Sequence, residues 1–207
     1  MQLLPPRAFA RQDETPDENF YQTARLVAHI DDGAIAQVTQ LYREFLPPDG
    51  AILDLMSSWI SHLPPEIEYA RVVGLGMNEI ELKANSRLHE YSCQDLNLHP
   101  QLPYDDASFD GATICVSIQY LKRPVEVLRE VGRVLKANAP LVITFSNRCF
   151  PTKAVAIWQA LDDPGHVELV KRYLEEAGNW KQIEHLDRSL GHGDPLHAIV
   201  ARKNAVK

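Results

Sequence analysis

Side chains that could bind a small polar ligand collect at the ends of short apolar runs in this sequence. The candidates are Asp54, Met56, Ser57 and Ser58, then Gly76, Met77 and Asn78, then Asp95 and Leu96, then Ser117 and Tyr120, and last Asn147 and Arg148. An acid such as Asp54 can accept a hydrogen bond from a ligand amine, and the Asn147 amide offers both a donor and an acceptor. These residue types predict a site for a polar small molecule.

A second set of candidates precedes the apolar runs. Tyr21, Arg25 and His29 are spaced four residues apart, which places a phenol, a cation and a titratable ring on one face of a predicted helix. The candidate catalytic residues are His29, Tyr21 and Asn147, and the candidate substrate-binding residues are Arg25, Tyr120, Asn147 and Arg148. The alternative is a solvent-facing helix surface that ends at a cap on Asp31.

The elements that must position these residues follow from the apolar pattern. Continuous apolar runs separated by helical stretches are typical of parallel strands buried on both faces, and five such runs lie at 51–55, 71–76, 88–94, 109–121 and 139–146. Two further strands are predicted within 182–190 and 195–203. We therefore expect an α/β fold, a doubly wound, Rossmann-like and mostly parallel seven-stranded sheet with helices on both faces and an antiparallel last strand. Ligands of such sheets bind beyond the carboxyl ends of the strands, where the candidates lie.

Helices are predicted between these strands and at both ends of the sheet. Apolar residues recur at steps of three and four from Ala34 to Phe45, and Pro47 and Pro48 end that helix. The stretch RPVEVLREVGRVLKANAP reads as a βαβ crossover helix that begins at Pro124. Ala154, Trp158 and Leu161 outline another helix, and VELVKRYLEEAG a further one.

Two of the post-strand loops have a structural alternative. Asp54 is equally well explained as the cap of a short following helix. Gly74 and Gly76 resemble the start of a G-x-G-x-x-G dinucleotide motif, but glutamate occupies position 79 where the third glycine belongs. Asn78, followed three residues later by Glu81, also fits a helix capping pair.

The segment from Gln94 to Thr144 carries the most specific pattern. It contains an acid at Asp95, then LPYDDASFD before a strand, then LREVGRVLKANAPLVIT. This order resembles class I S-adenosylmethionine-dependent methyltransferases of the methyltransferase type 11-like superfamily, over residues 50–147. LDLMSSWISHLP, VVGLGMN and ITFSNRCFPTKAVAIW together resemble an atypical subgroup with LDLMSSW in place of the glycine-rich motif.

The resemblance implies S-adenosylmethionine as cofactor and a set of residues that contact it. Asp95 and Leu96 correspond to the adenine pocket, and the strand end from Ser117 to Tyr120 borders the methionine portion. The acid that starts the family's first motif is matched at Asp54, whereas the family's ribose-binding acid corresponds to Gly76. The implied cofactor-binding set is Asp54, Met56, Ser57, Ser58, Gly76, Met77, Asn78, Asp95, Leu96 and Ser117.

The same reasoning divides the chain and names the function. Residues 1–18, with Pro5, Pro6 and Pro16, are expected to form a flexible arm, residues 19–48 a helical lid, and residues 49–207 the methyltransferase-like domain. We expect methyl transfer to an unidentified small-molecule acceptor. One alternative is a binding or scaffold module that has lost the cofactor, and another is an NAD(P)-dependent oxidoreductase that uses Gly74 and Gly76.

Composition excludes several classes of protein. The 207 residues carry Lys+Arg 21 against Asp+Glu 28, a net charge of -7, and no basic run, which argues against a nucleic-acid partner. The 3 cysteines are far apart and the histidines lack ligand spacing, so neither a disulfide framework nor a metal site is expected. With no signal-peptide core and no membrane-length apolar run of roughly 18 residues, a cytoplasmic protein is expected.

Overall fold

The computed structural model describes residues 7–205. Its seven strands form one sheet in the order β3-β2-β1-β4-β5-β7-β6, in which β7 runs antiparallel to both of its neighbours. The strands are β1 (Ala51–Ser57), β2 (Arg71–Gly76), β3 (Glu90–Cys93), β4 (Gly111–Cys115), β5 (Pro140–Phe145), β6 (Trp180–Asp187) and β7 (His197–Lys203). The predicted doubly wound, mostly parallel sheet with an antiparallel last strand is confirmed.

The helices cover both faces of this sheet. They are α1 (Asp17–Tyr21), α2 (Asp32–Phe45), α3 (Glu79–Ala84), α4 (Pro124–Val134), α5 (Ala156–Gln159) and α6 (Asp163–Ala177). Apolar side chains of α2 pack with Ile52 and Val72 on one face, whereas α4 and α6 pack with Leu53 and Leu55 on the other. Because side chains alternate along a strand, continuous apolar runs fill both cores. No helix within residues 7–205 is long and apolar enough to cross a membrane.

The connection between β1 and β2 contains no helix. Residues 58–70 follow an irregular path that includes Pro64 and Pro65, neither of which can donate a backbone hydrogen bond. The interpretation of Asp54 as the cap of a following helix is therefore wrong. The first crossover departs from the regular strand and helix alternation that the sequence predicts.

The segment between α1 and α2 is also irregular. Residues 22–31 are not helical, so the prediction that Tyr21, Arg25 and His29 share a helix face is wrong. Backbone groups of this segment bond to other parts of the chain instead: the Asn78 amide donates to the carbonyl oxygens of Tyr21 and Gln22. These contacts replace the hydrogen bonds that a helix would make internally.

The N-terminal arm is packed within the described residues. Ala8 is buried, and its carbonyl oxygen accepts from the Ile157 amide at 2.8 Å, while the Ala10 carbonyl accepts from Ala156 at 2.8 Å. Residues 7–18 therefore differ from the expected flexible arm, and residues 1–6 lie outside the described residues. The predicted helix around Trp158 is present only as the short α5.

Candidate functional site

A cavity of about 540 Å³ lies at the carboxyl ends of the central strands, beneath residues 17–30. This volume is within the range of small-molecule and cofactor sites. Every residue selected from the sequence lines it: Tyr21, Arg25, His29, Asp54, Met56, Ser57, Ser58, Gly76, Met77, Asn78, Asp95, Leu96, Ser117, Tyr120, Asn147 and Arg148. Among the further lining residues that sequence reasoning did not select are Asp17, Glu81, Asn97 and Phe150.

Asp54 lines the cavity, but its carboxyl group is almost fully buried. Its side chain is 3% exposed and accepts hydrogen bonds from the hydroxyl groups of Ser57 (2.6 Å), Ser61 (2.6 Å) and Thr113 (3.1 Å). Burial raises the pKa of Asp54 despite these three donors, which act in the opposite direction. The carboxyl group thus fixes the loop after β1 to the neighbouring strand β4.

Because the pKa of Asp54 is raised, its contribution to the free energy of unfolding depends on pH. A folded-state pKa above the unfolded value means that stability falls as pH rises from the unfolded pKa through the folded one. Asp54→Asn removes this titration, so the variant should gain stability relative to the wild type between acidic and neutral pH. Urea unfolding of both proteins at pH 4 and pH 7 measures the difference. A stability difference that is the same at the two pH values would contradict a buried, ionising Asp54.

The end of β1 explains why glycine occupies position 76. Met56 has φ 57 and interrupts the register between β1 and β2, since Leu55 pairs with Leu75 and Ser57 with Gly76. A Cβ atom at position 76 would overlap the Ser57 carbonyl oxygen. The left-handed turn at Met56 therefore brings the two strand ends together and leaves no room for a side chain at the position of the family's ribose-binding acid.

Asn78 and Glu81 connect β2 to the segment that covers the cavity. The Asn78 side-chain oxygen accepts from the amides of Ile80 and Glu81, which confirms the capping interpretation. The Glu81 carboxylate accepts from the Ser58 hydroxyl at 2.6 Å and from the Arg25 backbone amide at 2.7 Å. Glu81 thus places a buried carboxylate close to the strand ends. The signal for it in the sequence was an acid in the first helical turn after a strand end that lacks one.

The loops that follow β3 and β4 offer polar atoms to a ligand. The Asp95 carboxylate accepts from the backbone amides of Asn97 (2.8 Å) and Leu98 (3.3 Å) through one oxygen, and Leu96 is buried beside it. The Ser117 hydroxyl is buried and has no hydrogen-bond partner among residues 7–205. A buried hydroxyl that lines a cavity and lacks a partner is suited to a ligand atom.

Aromatic side chains form another wall of the cavity. The Phe150 ring lies 5.9 Å from the Tyr120 ring in a stacked arrangement and 5.2 Å from the His29 ring edge to face. Burial raises the pKa values of Tyr21 and Tyr120 far above neutrality, so both phenols stay protonated, whereas burial lowers the pKa of His29. At neutral pH the His29 ring is therefore mostly uncharged and able to accept a proton.

Residues 57–143 match the family described as methyltransferase domain, from the last residue of β1 into β5. No curated protein sequence matches the chain significantly. Among residues 7–205, no group of three or more His, Cys, Asp or Glu side chains has an arrangement that could hold a metal ion.

Solved structures with this fold include enzymes of different activity. The 4+2 cyclase SpnF has a TM-score of 0.64 and 16% identity, over 88% of this chain and 89% of that one. A S-adenosylmethionine-dependent methyltransferase from Methanosarcina mazei has a TM-score of 0.56 and 17% identity, over 80% and 98%. Phosphoethanolamine N-methyltransferase 2 from Haemonchus contortus, solved with S-adenosyl-L-methionine, has a TM-score of 0.61 and 14% identity, over 82% and 52%. At these identities the similarity shows a shared fold.

Proposed function

We propose that the chain is a S-adenosylmethionine-dependent methyltransferase that acts on a small molecule, of the type with LDLMSSW in place of the glycine-rich motif. The observation that carries the proposal is the cavity at the carboxyl ends of the strands, which is lined by all the residues that the methyltransferase resemblance selected. The family match over residues 57–143 supports it, since that range spans the loops after β2, β3 and β4.

The residues of the cavity fit this cofactor with one substitution. Asp95 and Leu96 would border the adenine, and the unpartnered Ser117 hydroxyl would meet the methionine portion. Gly76 has no room for an acid, so we assign the ribose hydroxyl groups to Glu81, whose carboxylate lines the same cavity. Asp54 keeps the β1 loop in place through its three hydroxyl donors and holds no cofactor atom directly.

The chemistry requires positioning more than a reactive side chain. Bound S-adenosylmethionine supplies a methyl group on a sulfonium, and transfer is an in-line displacement that depends on the alignment of donor and acceptor. Residues of the segment from Tyr21 to Ile30 line the cavity, and we assign this segment the role of a lid over the cofactor. Uncharged His29 is the candidate base for an acceptor that must lose a proton, because the two tyrosines stay protonated.

Calorimetric titration with S-adenosylmethionine and S-adenosylhomocysteine tests the proposal, with NADH as the control ligand. Micromolar binding of either adenosyl compound and no binding of NADH is the expected result. NADH is disfavoured because Gly74 and Gly76 lie within β2, where their missing side chains make room for Leu88 and the Ser57 carbonyl. Binding of NADH alone would overturn the proposal in favour of an oxidoreductase.

Glu81→Ala should weaken binding of S-adenosylhomocysteine about tenfold or more, because a carboxylate that bonds ribose hydroxyl groups contributes about 1.5 to 3 kcal/mol. Glu81→Gln, which keeps the size of the side chain, should have an intermediate effect. The matched control is Glu79→Ala on the same helix, since Glu79 is 59% exposed and pairs with Lys83. Equal affinity of the Glu81 and Glu79 variants would show that the ribose lies elsewhere.

A specific observation favours the second candidate function, a binding module without cofactor. Glu81 already accepts hydrogen bonds from Ser58 and Arg25, and the Trp59 indole donates to the Val27 carbonyl at 3.1 Å. These hydrogen bonds hold the segment from Tyr21 to Ile30 against the loop after β1 and the start of α3. A folded sample that binds neither adenosyl compound would support this module.

We further propose a cytoplasmic location, which the unpaired state of the three cysteines supports.

A further inference from the structure

The charged side chains of the cavity are divided between two sides. Glu81 and Asp95 lie beyond the ends of β2 and β3. Arg148, in the loop after β5, belongs to the opposite side, where the aromatic wall of Tyr120 and Phe150 also lies. The Glu81 and Asp95 carboxylates suit a cationic sulfonium cofactor, and the aromatic side is left for the methyl acceptor.

Arg25 reaches from the first side to the second. Its backbone amide donates to Glu81, whereas its guanidinium carbon lies 4.4 Å from the centre of the Phe20 ring and 5.5 Å from that of Phe150. Guanidinium N–H groups donate to the carbonyl oxygens of Phe20 (3.0 Å) and Thr23 (3.3 Å). Two aromatic rings and two carbonyl groups thus hold a planar cation at the wall of the cavity.

The Arg25 charge has no carboxylate partner among residues 7–205, whereas the acids that line the cavity have donors of their own. Asp17 pairs with Arg11 and Lys153, and Asp54 accepts from three hydroxyl groups. A guanidinium has five N–H donors in a fixed fork, and Arg25 uses two groups on backbone carbonyls. The remaining donors match a carboxylate or a similar planar anion.

The aromatic wall beside Arg25 is fixed in orientation. The Tyr120 hydroxyl accepts from the Phe150 backbone amide at 2.8 Å, and the two rings are inclined by 29°. Because neither ring needs to reorder, a planar aromatic ligand can stack against this wall at low entropic cost. At the rim, the exposed Arg148 side chain pairs with Asp194 at 3.7 Å, so Arg25 remains the cavity cation without a carboxylate partner among residues 7–205.

We propose that the methyl acceptor is a planar aromatic acid, whose anionic group pairs with the Arg25 guanidinium and whose ring stacks against Phe150 and Tyr120. This inference rests on the proposed methyltransferase function. The methionine carboxylate of the cofactor is the other source of a carboxylate for Arg25, and the experiment separates the two.

The probes are 2-naphthoate, its uncharged amide 2-naphthamide, and cyclohexanecarboxylate, titrated into the protein with and without saturating S-adenosylhomocysteine. We expect 2-naphthoate to bind at least tenfold more tightly than either of the other probes. Arg25→Met should lose that preference, and Arg25→Lys, which keeps the charge but not the fork, should retain part of it. The control is Arg43→Met, the same change of charge on the surface, where Arg43 pairs with Glu66.

A second titration tests whether Arg25 pairs with the acceptor or with the methionine carboxylate of the cofactor. It compares the affinities of S-adenosylhomocysteine and of 5′-methylthioadenosine, which lacks that carboxylate. If Arg25→Met leaves both affinities within threefold of wild type, the acceptor assignment stands. Selective loss of S-adenosylhomocysteine binding would overturn it, as would equal binding of 2-naphthoate and 2-naphthamide to the wild type. Failure of S-adenosylhomocysteine to bind the wild type counts against the proposed function itself, and the 2-naphthoate comparison without it still tests the anion site.

Discussion

Lys153→Met should lower the free energy of unfolding by about 3 kcal/mol, because the change removes the buried cation that the Asp13 and Asp17 carboxylates share. The Lys153 side chain is fully buried, and its ammonium lies 3.0 Å from an Asp13 carboxylate oxygen and 3.2 Å from an Asp17 oxygen. It also donates to the Thr15 carbonyl at 2.8 Å. The change removes every one of these contacts and leaves Arg11 as the cationic partner of Asp17, whose side chain is 4% exposed in the wild type.

Urea unfolding of the variant measures this loss, and limited proteolysis reports whether residues 7–22 are released first. Lys136→Met is the matched control, since Lys136 is 49% exposed in its pair with Asp110 and should cost less than about 1 kcal/mol. Adding Asp17→Asn to Lys153→Met should give no recovery, because Arg11, whose side chain is 5% exposed, would then lose its carboxylate partner. A Lys153 variant as stable as the Lys136 variant would contradict a structural ion pair beneath the lid.

The sheet was predictable because its strands are buried on both faces. The apolar run from Arg71 to Gly76 matches β2 residue for residue, and β5 differs from its predicted range by one residue at each end. Hydrophobic burial acts locally along such strands, so the pattern is visible without knowledge of their neighbours. The position of the site followed from the same fact, since ligands bind at the carboxyl ends of parallel strands.

The irregular backbone of residues 22–31 could not be predicted, because its conformation is set by residues distant in the sequence. The spacing of Tyr21, Arg25 and His29 fits a helix. However, the Asn78 side-chain amide donates to the Tyr21 carbonyl oxygen, and the Arg25 backbone amide donates to the Glu81 carboxylate. Tertiary hydrogen bonds of this kind override a local periodicity of only three residues. The same three side chains still line the cavity, from an irregular backbone.

Glu81 was not selected from the sequence as a site residue, because the capping interpretation already explained its position. The pattern of Asn78 and Glu81 predicts a helix cap, and Asn78 does cap α3. The Glu81 carboxylate, however, accepts a hydrogen bond from Ser58, which precedes it by 23 residues. Nor does any propensity rule place Met56 at positive φ, since an unbranched apolar residue adopts that region rarely. Both features follow from how β1 and β2 meet, which only the assembled sheet determines.

Gly76→Ala should destabilise the protein by about 2 to 3 kcal/mol and weaken binding of S-adenosylhomocysteine at the same time. The added methyl group would overlap the Ser57 carbonyl oxygen and approach Leu82 Cδ2 to 3.1 Å. Because the oxygen belongs to the backbone, the overlap is relieved only if the end of β1 moves. That movement displaces Ser57 and Ser58, which line the cavity, and breaks the hydrogen bond between Ser58 and Glu81.

Gly33→Ala in the first turn of α2 is the matched control for this change. A Cβ there approaches only side-chain atoms, Leu190 Cδ1 at 3.2 Å and Asp31 Oδ1 at 3.3 Å, and alanine has the higher helix propensity. Urea unfolding should therefore show a change within about 0.5 kcal/mol for Gly33→Ala. If Gly76→Ala were equally neutral, the contact between the ends of β1 and β2 would be looser than the structure has it. An acid could then fit at position 76, and the reason for assigning the ribose to Glu81 would no longer hold.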